Sequence, residues 1–127
     1  MNEPQNRVRT WMRAIGQATP SKPCIPDKDT CDLRVDLIDE ELYELCEALS
    51  RKDMVETYDA LNDLLYVVIG AAVACGMELQ PGWLEVCRSN DTKVVDGFKD
   101  AAGKWRKGPS YEAPKLGPIL KELEAHP

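Results

Sequence analysis

The sequence predicts an all-α, four-helix-bundle-type subunit with an extended C-terminal arm, assembled as an oligomer. Three observations predict it. Apolar residues recur at helical spacing through the first two thirds of the 127-residue chain, and no strand signal stands out except a hairpin around Gly103. Glycine and proline concentrate after residue 96 (Gly97, Gly103, Gly108, Gly117, Pro109, Pro114, Pro118), the composition of an arm. The stretch Leu64 to Met77 is apolar on nearly every side, more than one small bundle covers, so its excess face belongs between subunits.

Taken in order, residues 4–16 form a first helix with Val8, Trp11, Met12 and Ile15 at helical spacing, ending at Gly16. Pro20, Pro23 and Pro26 punctuate a loop that runs to Asp29. A second helix extends from about Thr30 or Cys31 to Leu49, with Leu33, Leu37, Leu42, Leu45 and Leu49 as its apolar stripe. Ser50-Arg51-Lys52 is the turn. Asp53 is suited to N-cap a third helix that runs to about Cys75 and stops at Gly76. A short fourth helix follows Pro81, roughly to Ser89, and the arm ends in a last helical turn or two from Ile119 to Ala125. The expected organisation is one domain over residues 1–127, with a helical core of about 4–92 and an arm of about 93–127.

Bulk properties narrow the function. A net charge of −6 argues against gripping a nucleic-acid polymer by its backbone. Met1-Asn2-Glu3-Pro4-Gln5 lacks the basic and apolar regions of a signal peptide, and no apolar run reaches the roughly 18 residues of a membrane span. The expectation is a cytoplasmic protein, in a host's cytoplasm if the chain is viral. Five cysteines (Cys24, Cys31, Cys46, Cys75, Cys87) without a C-x-x-C pair read as reduced thiols, with Cys46 and Cys75 acting as small hydrophobes. A Cys24–Cys31 zinc half-site is disfavoured, because His126, the only histidine, stands at the frayed C-terminus.

Two acidic clusters carry most of the functional information: Glu40-Glu41-x-x-Glu44 on the second helix and Glu56-x-x-Asp59-x-x-x-Asp63 on the third. At about 100° per residue, Glu56, Asp59 and Asp63 fall within roughly 60° of one another and Glu40 and Glu44 about 40° apart. A single acidic pair on a helix is usually solvated surface. Here two clusters adjoin the densest apolar runs, and two carboxylates ~4 Å apart repel by roughly 4 kcal/mol at an effective dielectric near 20. A divalent cation between facing helices is the natural compensation.

Exclusion sharpens this. Without a histidine inside the fold there is no Ser-His or Cys-His nucleophile system and no Glu-x-x-His di-iron site. Neither common phosphate-cradling glycine loop occurs. An oxygen-only donor set suits Mg²⁺ or Mn²⁺, and Mg²⁺ bridges readily to phosphate oxygens, so the implied substrate carries phosphates. A water at such a site, deprotonated with help from a spare carboxylate, can attack phosphorus in line. Further candidates are Asn90 and Lys93 at the end of the fourth helix, and Lys104 and Lys107 flanking Trp105 and Arg106 in the arm. The first two equally fit ordinary helix C-cap residues, the others a solubilised tail. Trp11 and Gln17 can stack on and read a base, although an apolar Trp on a first helix is more often core.

Glu40-Glu41-x-x-Glu44, Asp59-Ala-Leu-Asn-Asp63-Leu-Leu-Tyr66, Gly76 and Ser89-Asn90-x-x-Lys93 together resemble the MazG-like, all-α nucleoside triphosphate pyrophosphohydrolases. These are relatives of phosphoribosyl-ATP pyrophosphohydrolase and of the all-α dUTPases. Gly103-Lys104-Trp-Arg-Lys107-Gly108-Pro109-Ser-Tyr111 is similar to the family's closing arm. The resemblance implies hydrolysis of an NTP or dNTP to the monophosphate and pyrophosphate with Mg²⁺ or Mn²⁺, in a four-helix bundle assembled as dimers or tetramers. It implies Glu41, Glu44 and Asp63 as ligands, Glu40 to orient or deprotonate the attacking water, and Asn62 and Tyr66 near substrate. The family's second motif, E-x-x-D, is broken by Ala60, so either Asp59 takes the missing role or Glu56-x-x-Asp59 is itself the motif with Asp63 assisting. Sanitation of aberrant nucleotides and viral remodelling of dNTP pools, purine pools included, both suit a compact form. A dUTP or phosphoribosyl-ATP specialist is the enzymatic alternative, and a helical dimerisation module without metal affinity the non-enzymatic one.

Overall fold

In the computed structural model, residues 2–125 are described; His126, set aside above as a zinc ligand, lies outside them. The chain is all-α. The helices are α1 (Asn2–Ala14), α2 (Lys28–Ser50), α3 (Met54–Ala74), α4 (Leu79–Asp96) and α5 (Gly117–Ala125). The hairpin expected at Gly103 is present as β1 (Phe98–Lys99) and β2 (Trp105–Arg106), antiparallel, with Phe98 opposite Arg106. Gly103 takes φ +84 in its turn, a conformation glycine adopts without steric cost.

The long antiparallel pair is α2 and α3, and α1 lies across α3. Asp27 starts α2 by accepting from the Thr30 amide at 2.9 Å, so the helix begins two to three residues before the expected start. Asp53 caps α3 as expected, accepting from the Glu56 amide at 3.0 Å. At the far end Gly76 has φ +64, and a Cβ there would lie 2.1 Å from the Lys22 carbonyl oxygen. Glycine is therefore required both to stop α3 and to let the proline-rich loop pass. That loop is pinned by the Cys24 amide donating to the Cys75 carbonyl at 2.8 Å.

A small core joins α1 to the second half of α3: Val8, Met12, Ile69, Val73 and Ala74, with Leu79 packed against it. Gln5, 1% exposed, ties the helices together, donating to the Met77 carbonyl (2.7 Å) and accepting from the Leu79 amide (2.9 Å). Both polar ends of this buried amide are thus satisfied.

Several expectations are corrected. The fourth helix runs to Asp96 rather than Ser89, so the arm begins near Gly97, and α5 is longer than a turn or two. The α2 stripe holds only in part: Leu37 and Leu45 are half-buried, but Leu33, Leu42 and Leu49 are exposed, and the fully buried positions are Arg34 and Ala48. Cys46 is exposed, not a core residue. Among the described residues no single helix is long and apolar enough to cross a membrane.

The arm returns along α4 and is stitched to it. Ser89, 2% exposed, donates to the Glu112 carbonyl at 2.7 Å, and the Glu112 amide donates to Thr92 Oγ1 at 2.9 Å. Asp96 accepts from the amide and hydroxyl of Ser110, and Trp105 Nε1 donates to the Lys93 carbonyl at 2.8 Å. Glu85 accepts from Arg88 Nε and Nη2 and from the Lys115 amide, which pulls its carboxyl down to about 2.

Candidate metal centre

The pairing of α2 with α3 brings the two acidic clusters face to face. Glu41, Glu44 and Asp63 each offer a carboxylate oxygen, all within 4.8 Å of one another. The spacing of three on α2 puts Glu41 and Glu44 on one side, and the antiparallel partner supplies Asp63. Glu41 and Asp63 are half-buried; Glu44 is exposed. Glu41 Oε2 is shut off from solvent with no hydrogen-bond partner. Burial first, then the charges of Glu44 and Asp63, pushes the Glu41 carboxyl above its ordinary value. Burial, with Asp59 and Glu44, does the same to Asp63. An orphaned buried oxygen among like charges is the arrangement a cation relieves, and oxygen donors suit a hard divalent ion such as Mg²⁺ or Mn²⁺.

The third-helix candidates divide between two places. Asp63 joins the cluster, whereas Glu56 and Asp59 line an adjoining cavity of about 320 Å³ with Glu44, Glu47, Arg51 and Ala60. Ala60 is buried between the helices, so its small side chain leaves room where a longer residue would reach α2. Glu40 is exposed beside Glu41. Asn62 is exposed and donates to the carbonyl of Tyr58 on its own helix, at 2.9 Å.

A second cavity, of about 200 Å³, lies two turns toward the α2 N-terminus from Glu41. Trp11 and Tyr66 meet edge-on there with ring centroids 5.9 Å apart, and Gln17 shares the lining. Trp11 is 50% exposed, so it forms a rim rather than the core its helix position suggests. Arg34 also lines this cavity and is 8% exposed, a residue the sequence reading passed over. The available signal was a charge seven residues before Glu41, on the same face of α2.

The basic candidates are elsewhere in the subunit. Lys93, Lys104 and Lys107 line a cavity of about 520 Å³ formed with the hairpin, and none of the clustered carboxylates lines it. Lys93 and Lys107 both place their ammonium groups over the Tyr111 ring, 5.7 and 4.8 Å from its centroid. Asn90 is exposed within α4, not at its C-cap.

Facing helices that gather carboxylates around one buried oxygen define an all-α protein with an oxygen-only site suited to a hard cation. Comparison places it more closely. The chain belongs to the phosphoribosyl-ATP pyrophosphohydrolase family, whose profile matches residues 8–90, a span holding both acidic clusters. It is also 44% identical over 50 residues, 39% of its length, to an uncharacterised protein of Acanthamoeba polyphaga mimivirus. The matched segment spans about a fifth of that relative (20%).

Proposed function

We propose that this protein is a Mg²⁺- or Mn²⁺-dependent nucleoside triphosphate pyrophosphohydrolase, releasing monophosphate and pyrophosphate from an NTP or dNTP. One observation carries the reading: the Glu41–Glu44–Asp63 cluster with its buried, unpartnered Glu41 Oε2. Family membership supports the reaction class, since the family is named for cleavage of a phosphoric anhydride.

Glu41, Glu44 and Asp63 would hold the ion, with Glu56 and Asp59 extending the acidic wall toward the adjoining cavity. The ion, when bound, polarises phosphoryl oxygens and offsets charge in the transition state. Glu40, exposed next to Glu41, would orient the attacking water and take its proton. Trp11, Gln17 and Tyr66 form the base side of the site, with Asn62 at its edge. Asn90, Lys93, Lys104 and Lys107 supply polar and cationic contacts for phosphate oxygens. Because the lysines line a cavity apart from the carboxylates, the reading includes a homo-oligomer, dimer or tetramer, in which one subunit's arm serves another's cluster. Residues 1–127 act as one domain, and the workplace is the cytoplasmic nucleotide pool.

The test is a chromatographic product assay with Mg²⁺ or Mn²⁺ over all common NTPs and dNTPs, dUTP and phosphoribosyl-ATP. Monophosphate plus pyrophosphate is the expected outcome. Turnover confined to phosphoribosyl-ATP, which the family's name favours as a second reading, or to dUTP would make this chain a specialist. Diphosphate plus phosphate would move the attack to the terminal phosphorus. No turnover with any metal or substrate would leave a helical interaction module.

A further inference from the structure

Arg34 is a buried charge held by no salt bridge among the described residues. The residue is 8% exposed, yet the only side-chain hydrogen bond it makes among the described residues runs from Nη2 to Gln17 Oε1 at 2.7 Å. Nε is sealed from solvent without an acceptor. Guanidinium carries five N–H donors, and a largely buried cation whose Nε is sealed and whose one protein acceptor is neutral is costly to keep. A purely structural arginine in such a place ordinarily has a carboxylate or a set of backbone carbonyls. The fold nevertheless makes room for it. Gly70 of α3 lies where any Cβ would come 2.7 Å from Nη1, and Met12 packs alongside. Arg34 lines both the 200 Å³ cavity behind Trp11 and Tyr66 and a neighbouring cavity of about 540 Å³.

The missing partner is therefore an acceptor brought by a ligand. Gln17 uses its oxygen on Arg34, which leaves its amide N–H₂ as a further donor, so the polar end of the cavity consists of donors. Its other walls are apolar or aromatic, including Val8, Met12 and Leu37. Such a lining suits a planar base better than a phosphate, which would need more cations. Seven residues of α2 separate Arg34 from Glu41, about 10.5 Å of helix. That distance places the donors where a nucleotide whose phosphates sit at the carboxylates would present its base. Donors side by side select an edge with adjacent acceptors. Guanine and hypoxanthine offer O6 and N7, whereas adenine offers an amino group beside N7.

We propose that Arg34, oriented by Gln17, is the specificity-determining residue of the base pocket and reads the O6/N7 edge of a 6-oxopurine, making guanine nucleotides the preferred substrates. This rests on the pyrophosphohydrolase reading for its phosphate end.

The experiment measures kcat/KM for dGTP, dITP, dATP, dCTP, dUTP, phosphoribosyl-ATP and 7-deaza-dGTP on wild type, R34K and R34Q. Calorimetry of dGMP and dAMP binding runs beside it. Expected is a preference of about tenfold or more for dGTP and dITP over the other bases. The preference should shrink with 7-deaza-dGTP, which lacks N7, and flatten in R34K, which lacks the planar fork. The 7-deaza result needs no variant, so it stands if R34Q fails to fold. Equal turnover of all bases, or a preference for adenine or a pyrimidine, overturns the assignment of Arg34 and keeps the hydrolase. Arg34-dependent binding of dGMP over dAMP without turnover of any triphosphate does the reverse. Neither selective binding nor turnover overturns both.

Discussion

Glu41 concentrates the energetic conflict on which the functional reading turns. Its buried oxygen has no partner, and three neighbouring carboxylates act on it. Because the folded-state values of Glu41 and Asp63 lie above their ordinary ones, the metal-free native state binds more protons than the unfolded chain in the window above the carboxylate range. Its stability therefore falls as pH rises through that window and recovers on acidification. Glu41→Gln removes one of these charges. Metal-free, the variant should melt at or slightly above the wild-type temperature, with a flatter pH dependence. It should also lose the Mn²⁺-induced rise in melting temperature, and turnover should drop roughly a hundredfold or more, since a catalytic ion contributes several kcal/mol. Scanning calorimetry with chelator or Mn²⁺, beside the product assay, checks it; a variant with the full Mn²⁺ shift and full turnover would remove Glu41 from the site. The carboxylates were legible because i, i+3 and i, i+4 spacing is written in the chain. Arg34 was not, because its one signal, a charge seven residues before Glu41 on the same face, does not say that the side chain is buried without a charged partner.

Among the elements, α3 was legible almost to the residue, since Asp53 and Gly76 act through local backbone chemistry that a sequence displays, and α2 to within two or three residues at its start. The length of α4 was not. Lys93, Val94 and Val95 look like the onset of an arm, and they stay helical because the arm folds back and bonds to that helix from Glu85 to Asp96. Such contacts bridge 12 to 30 positions, beyond any local window. The Glu85–Arg88 pair with the Lys115 amide is a pH-sensitive stitch. The Glu85 carboxyl is held at about 2 against an ordinary 4.5, chiefly by hydrogen bonds from Arg88 and then from Lys115. A depressed carboxylate contributes stability above its unfolded value, and loses it as pH falls through the folded one. The share of that stability due to the Lys115 amide belongs to arm docking, so docking should be strongest above about pH 4.5 and weaken toward pH 2. Hydrogen exchange across residues 98–116, corrected for intrinsic rate, should show protection fading over that window in wild type. Glu85→Gln should be less protected at neutral pH and nearly flat below 4.5. Equal protection in both proteins at neutral pH would show that the stitch does not hold the arm.

At the scale of the molecule, α3 presents the physical problem that its sequence announces. One side meets α1 and α2, while Met54, Tyr58, Leu61, Leu65 and Val68, spaced three and four apart, form an exposed apolar stripe. Trp83 and Leu84 of α4 add to the apolar surface, and a largely apolar groove of about 460 Å³ runs between α3, α4 and α5. Burying one exposed Leu contributes about 1.5–3 kcal/mol, so a lone subunit forgoes much of what its composition offers. Patches of this extent on single chains mark association surfaces. Light scattering should accordingly find a dimer or larger species at micromolar concentration. Leu65→Lys, in the middle of the stripe, should shift it toward monomer and lower the melting temperature in a concentration-dependent way. The same variant separates assembly from metal binding. Glu41, Glu44 and Asp63 belong to one subunit, so a folded monomer should retain the Mn²⁺ shift. On the proposed arrangement, in which one subunit's arm serves another's carboxylates, turnover should fall, because the lysines of the arm line a different cavity from the cluster. A wild-type monomer with full turnover would place arm and cluster in cis, and the stripe would then have to face some other partner.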